Sequence, residues 1–401
     1  MRPQIDTDAR LPTLSVTTVC AIAATALAVA MGIGRFASTP LLPLMVRDGS
    51  LAPSAGAWLA AANYLGYLAG ALVAGRLGFS LPALMRVSLA GIVITTAAMG
   101  ILDGLAAWKG LRFAAGIFSA WALVAVSAWA LQHLAQVRRT DLSGMVYAGV
   151  GLGIAFAGLF CLAAAQPGVP TGRLWLELGV LAALAAIPVS LFVGRPSRAS
   201  SQLNATPPAV DGKRGSHSGL VICYGVLGFG YILPATFLPA LAREVVDDPQ
   251  MFGLAWPIFG MAAALSTIAI GRRLAHTNRL RVWAISHLLM AAGVFVPSVW
   301  LTPAAIAIAA IAVGSTFMVA TMIGLQEART RSPHNATRLL AAMTAAFAVG
   351  QLAGPVVSGV LDLLHIGHRS ALAYALQLAA LSLAASAIYL WHQSRLPAQA
   401  S

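Results

Sequence analysis

Twelve aliphatic stretches, each about twenty residues long and set apart by short polar segments, dominate this chain and leave few folds open to it. Inside a bilayer every backbone polar group must be satisfied within the protein, so only helices and closed barrels span it. Barrel strands alternate apolar and polar side chains over about 10 residues. A run such as Ala304 to Met322 shows no such alternation. The expected spans are therefore helices at about 16–46, 52–75, 82–102, 110–135, 142–165, 173–194, 218–242, 250–271, 281–301, 304–326, 338–361 and 370–393. Charged residues make up only 9% of the chain, against about 25% in a water-soluble domain. The fold class is all-α integral membrane. Met1 to Arg10 is of mixed charge and precedes an apolar run too long for a removable signal peptide.

Basic residues decide the orientation. With the N-terminus in the cytoplasm, 18 of the 25 Lys and Arg residues fall in cytoplasmic segments, while seven of the twelve acids fall on the other side. The positive-inside rule then expects both termini in the cytoplasm, in the cytoplasmic (inner) membrane of a bacterium. The net charge of +13 reads as topology and attraction to anionic lipid heads, not as a nucleic-acid surface. Cys20, Cys161 and Cys223 stand alone within apolar runs and read as small buried hydrophobes; neither a metal nor a cofactor is expected. Gly149-Val-Gly-Leu-Gly153 has the glycine spacing of a dinucleotide loop but no strand before it. A membrane-embedded enzyme needs paired carboxylates, a histidine cluster or a positioned nucleophile. None is assembled here.

The long polar segment 195–217, rich in Ser, Pro, Gly and basic residues, divides six spans (1–194) from six (218–401) and reads as a cytoplasmic linker. A shift of 196 positions aligns Gly32, Gly34 and Pro43 with Gly228, Gly230 and Pro239, Gly75-Arg76 with Gly271-Arg272, and Gly158 with Gly354. Several matches at one offset indicate duplication. Two parallel six-helix halves are a transporter architecture.

The run Gly32-Ile-Gly-Arg-Phe-Ala-Ser-Thr-Pro-Leu-Leu-Pro-Leu-Met45 resembles the hallmark of the YbfB/YjiJ-type branch of the major facilitator superfamily. Asn63 to Gly70, Tyr147 to Gly153, Gly324 to Arg329 and Gly350 to Pro355 are similar to its second, fifth, tenth and eleventh spans. The resemblance implies two pseudo-symmetric six-helix bundles, transport by alternating access, and a cavity lined by spans one, four, seven and ten. Arg112-Phe-Ala-Ala-Gly116 is similar to a fourth-span signature whose arginine is tied to proton coupling in relatives, and Gly75-Arg-Leu-Gly78 lacks the aspartate of the usual loop signature. No particular solute is implied.

Arg35 carries the functional reading. An arginine at the centre of a span costs about 2.5–3.5 kcal/mol on insertion scales and faces protein or a watery cavity. Its fork of donors suits a carboxylate, sulfonate or phosphate. Alternatively it folds back onto carbonyls freed by Pro40 and Pro43, or pairs with Asp48 or Glu177. Arg112 either snorkels to the interface or serves coupling. Asn63, Tyr64, Tyr147, Tyr224, Tyr231 and Gln351 either line the cavity or make interhelical hydrogen bonds. His287 is a proton relay or a helix contact, and Glu177 is a further coupling candidate. Gly32, Gly34, Gly149, Gly153, Gly350 and Gly354 allow close helix packing, while Pro40, Pro43 and Pro355 interrupt helices.

Together these residues predict a monomeric secondary active transporter, surrounded by lipid, moving a small organic solute that bears an anionic group, with a proton as the candidate coupling ion. Efflux of amphipathic compounds is the alternative within the class; a membrane-embedded sensor or lipid-modifying enzyme is the alternative outside it.

Overall fold

The computed structural model describes residues 14–52, 55–164, 166, 168–193, 217–243, 249–273, 277–333, 335–363 and 371–395. The linker expected at 195–217 lies outside them, except for residue 217. Every regular element among the described residues is helical, and twelve helices are long and apolar enough to cross a membrane. They are α1 (Val16–Arg47), α2 (Ala55–Ala74), α3 (Leu81–Ala98), α4 (Leu105–Gln136), α5 (Ser143–Ala164), α6 (Thr171–Phe192), α7 (Ser218–Arg243), α8 (Pro249–Arg273), α9 (Arg279–Val299), α10 (Pro303–Arg331), α11 (Ala336–Leu363) and α12 (Ala371–Gln393). The boundaries match expectation except where charge misleads. Helix α4 begins at Leu105 and carries Lys109 and Arg112 inside it. Helix α10 runs on to Arg331, where Glu327 pairs with Arg331 one turn later at 2.7 Å.

The two sets of six helices repeat one set of neighbours. Helix α1 packs on α5 as α7 packs on α11; α2 meets α4 as α8 meets α10; α3 meets α4 and α6 as α9 meets α10 and α12. Glycines make the closest of these approaches. Gly149 faces the Ala24 backbone, Gly153 faces Gly32, and Gly350 faces Gly225, so backbone lies against backbone in α1–α5 and again in α7–α11. Between the halves, α5 packs against α8 and α2 against α11. Leu184, Leu191, Leu265, Leu381 and Ile388 stand exposed on the outside, where only acyl chains could cover them.

Helix α1 is broken midway. Val16–Leu27 is α-helical, Ala28–Ile33 is a π turn, residues 34–37 form turns, and Ser38–Arg47 resumes the α-helix around Pro43. A π turn holds one extra residue and leaves carbonyls without their usual partners. Pro40 and Pro43 cannot donate from their own nitrogens.

Asp48, just beyond α1, ties that helix to α6. Its carboxylate accepts from the Thr171 hydroxyl, from the Thr171 amide at 2.9 Å, and from the Ser50 hydroxyl at 2.7 Å. Burial pushes the Asp48 carboxyl up, but the hydrogen bonds from Thr171 and Ser50 outweigh it and hold the pKa below its ordinary 3.8. A depressed value in the folded state means the contribution is full above the unfolded pKa of about 4 and is lost as pH falls through the folded value. We expect the thermal midpoint in detergent to fall more steeply for the wild type than for Asp48→Asn on acidification below about pH 4. Parallel curves would count against the tie.

Candidate functional site

The end where α1 begins and α2 finishes is called proximal here, and the opposite end distal. A cavity of about 260 Å³ opens in the distal half between the two sets of helices. Helix α1 lines it from Arg35 to Val46, α2 with Gly56, Ala60, Asn63 and Tyr64, α7 with Tyr231, Ile232, Ala235 and Thr236, and α8 with Trp256. Of the four spans expected to form the lining, α1 and α7 do so. Helices α4 and α10 stand one layer behind, through Arg112 and Phe317 respectively.

Arg35 lies at the cavity and is only 2% exposed. One guanidinium nitrogen, Nη2, donates to the Gln351 Oε1 on α11. The guanidinium carbon sits 3.8 Å from the centre of the Tyr67 ring, with Tyr64 at 5.6 Å and Phe36 at 5.7 Å. Nε and Nη1 have no hydrogen-bond partner, and neither does the Gln351 amide nitrogen. A desolvated cation–π contact contributes about 2 kcal/mol, which does not offset two unsatisfied charged donors. The two acids considered as partners are engaged elsewhere: Asp48 on Thr171, and Glu177 on Arg173 at 2.7 Å near the surface. Among the described residues no carboxylate forms an ion pair with Arg35 or Arg112.

Arg112 takes the backbone role considered for Arg35. It is 2% exposed and does not snorkel. Its Nη1 donates to the Gly34 carbonyl and its Nη2 to the Arg35 carbonyl, both at 2.9 Å, with the Ser38 hydroxyl at 3.2 Å. Those carbonyls lie where the α1 ladder breaks. Asn63 donates in turn to the Arg112 carbonyl at 3.0 Å, fixing α2 against α4. Arg35 is thus presented by a loop of backbone that Arg112 holds from behind.

The remaining candidates divide. The Tyr64 hydroxyl meets the Thr236 hydroxyl at 3.2 Å, joining α2 to α7. Tyr231 lines the cavity with its hydroxyl unpartnered, and Gln351 reaches it only through Arg35. Tyr147 is buried on α5 beside Ser127, and Tyr224 packs on Trp283 and Phe347; neither lines the cavity. His287 is the helix contact: its Nε2 accepts from Trp283 at 2.9 Å and its Nδ1 meets Ser386 at 3.0 Å, away from the cavity.

Tyr67, Thr236 and Trp256 were not among the expected site residues. Tyr67 follows Tyr64 by three positions, hence on the same helix face, a spacing that marks it. Trp256 and Thr236 carry no comparable mark in the sequence.

The proximal end is closed across the halves. Gln326 on α10 donates to the Ser143 hydroxyl on α5, Arg329 donates to the Ala128 carbonyl on α4 at 3.3 Å, and Gly144 of α5 lies directly on Gly271 of α8.

Twelve spans in two like sets, with a largely apolar cavity between them that Arg35 borders and that cross-half contacts close off at the proximal end, define a multi-pass membrane transporter. A family model described as the uncharacterised MFS-type transporter YbfB matches residues 27–390, and the chain belongs to this family. None of the curated proteins compared with the chain matches it.

Proposed function

We propose that the protein is a secondary active transporter for a small organic solute bearing an anionic group, and that it works by alternating access of the cavity to the two membrane faces. The observation that carries this reading is Arg35, a buried cation on the cavity with two unpartnered guanidinium nitrogens and, among the described residues, no carboxylate paired with it. A solute carboxylate would take one of them together with Nη2, in either of the two forks a guanidinium offers. The basic proximal end corresponds to the cytoplasm by the positive-inside rule, so the present arrangement faces outward. Closure of the proximal contacts and opening of the distal cavity make one of the two access states; rocking of the halves makes the other.

Thermal-shift measurements on purified protein, with monocarboxylates, amino acids, aromatic acids and cationic drugs, test it. Hydrogen bonds to charged groups contribute about 1.5–3 kcal/mol each, so Arg35→Ala is expected to weaken anion binding by roughly 100-fold or more while sparing responses to neutral compounds. Arg35→Lys keeps the charge without the fork and should recover only part of it. Equal anion responses in wild type and Arg35→Ala would overturn the reading. Stabilisation by cationic amphipathic compounds alone would favour efflux instead.

A further inference from the structure

The C-terminal half contributes a different chemistry to the cavity than the N-terminal half. Tyr231 stacks on Phe317 at 4.9 Å and 16°, Phe317 on Phe259 at 5.1 Å and 26°, and Phe259 on Trp256 at 5.1 Å and 5°. Phe347 continues the stack beyond Tyr231 at 6.0 Å and 24°, Trp256 ends it, and both Tyr231 and Trp256 line the cavity. Rings held by a stack cannot turn aside, so Trp256 at its end presents a fixed flat face that favours a flat partner over a puckered one, with Tyr231 fixed in place across the cavity lining. Tyr231 and Trp256 each also carry a polar atom left unpartnered, the Tyr231 hydroxyl and the Trp256 indole N–H. A buried polar group without a partner is costly, and a hydrogen-bonding substituent on a solute in the cavity would relieve it. Phe36 closes the remaining side, with its ring centre 6.3 Å from Tyr231 and 6.4 Å from Trp256.

We propose that the solute is a planar aromatic carboxylate with a hydrogen-bonding substituent on its ring, held by its carboxylate on Arg35 of one half and by its ring and substituent on Tyr231 and Trp256 of the other. This rests on Arg35 as the anion anchor and adds the identity of the body attached to the anion. The cavity volume suits a single ring; at about 260 Å³ it lies below the usual range of about 300–1,000 Å³ for drug-sized ligands. A solute spanning both halves would also report its presence to each, as a carrier requires.

Three probes of similar size separate the contributions: 4-hydroxybenzoate, benzoate and cyclohexanecarboxylate, measured by calorimetric titration of the purified full-length protein. The expected order is 4-hydroxybenzoate, then benzoate, then cyclohexanecarboxylate, each step about two- to tenfold in affinity. Tyr231→Phe and Trp256→Phe should remove the advantage of the ring hydroxyl while keeping that of benzoate over cyclohexanecarboxylate. Trp256→Leu should narrow the latter too. Should a variant fail to fold, the wild-type order alone decides. Equal binding of all three probes, still abolished by Arg35→Ala, would overturn the aromatic assignment and leave the anion anchor standing. No binding of any carboxylate would overturn both.

Discussion

Gly144→Val is expected to leave the protein folded and able to bind solute but to reduce transport in proteoliposomes by about tenfold or more. A Cβ at this position would overlap the Thr267 carbonyl and approach the Gly271 Cα at 3.1 Å, all of it backbone in α8 of the other half. Nothing flexible lies there to move aside. The three nearest atoms all belong to α8, in the other half. Forcing volume into such a contact costs typically about 1–3 kcal/mol. The proximal-closed state pays it and the proximal-open state does not, so the balance between the two shifts by roughly five- to 150-fold toward opening at the proximal end. The measurement is paired: solute flux, and labelling of a cysteine introduced at Gln326 or Ser143, which the open state exposes. Undiminished flux with unchanged labelling would mean that the α5–α8 contact does not separate during transport.

Arg112→Ala carries the second large effect. It strips the Gly34 and Arg35 carbonyls of their guanidinium partner at membrane depth; the Arg35 carbonyl keeps the Ser38 hydroxyl at 3.1 Å, while a buried acceptor left unsatisfied, as the Gly34 carbonyl would be, costs about 1–3 kcal/mol. Destabilisation of about 1–3 kcal/mol is therefore expected, seen as a lowered thermal midpoint and faster amide exchange around residues 34–38. Solute binding should fall with it, because Arg35 loses its mounting. A coupling role predicts a different pattern: stability and solute exchange would be kept, and only gradient-driven accumulation would be lost. Arg112→Lys supplies one charge without the paired donors and should sit between wild type and Arg112→Ala in midpoint.

Hydropathy is a property of each stretch by itself, which is why twelve spans and the broken first helix could be read from composition and from Gly32, Gly34, Pro40 and Pro43. Partnership across the membrane interior is not a local property. Gln351 meets Arg35 across 316 positions, and no spacing in the sequence encodes that encounter. The two arginines show the limit most sharply. Arg112 sits near the polar edge of its apolar run and reads as interfacial, yet α4 starts at Leu105 and places it about two turns inside. There it holds the Gly34 and Arg35 carbonyls, a backbone contact of the kind considered for Arg35. His287 could be assigned only once Trp283 and Ser386 were seen on its two nitrogens. The aromatic wall was invisible because Phe259 and Phe317, which hold Trp256 and Tyr231 in place, come from different helices.

The bond between Arg35 and Gln351 makes one guanidinium both a strut from α1 to α11 and the mooring for whatever enters beside it. Occupant and amide meet at Nη2, so a solute carboxylate that takes this nitrogen releases Gln351 and undoes a fastening between the halves. Filling the chamber and freeing the halves to rock are then two descriptions of a single exchange of partners.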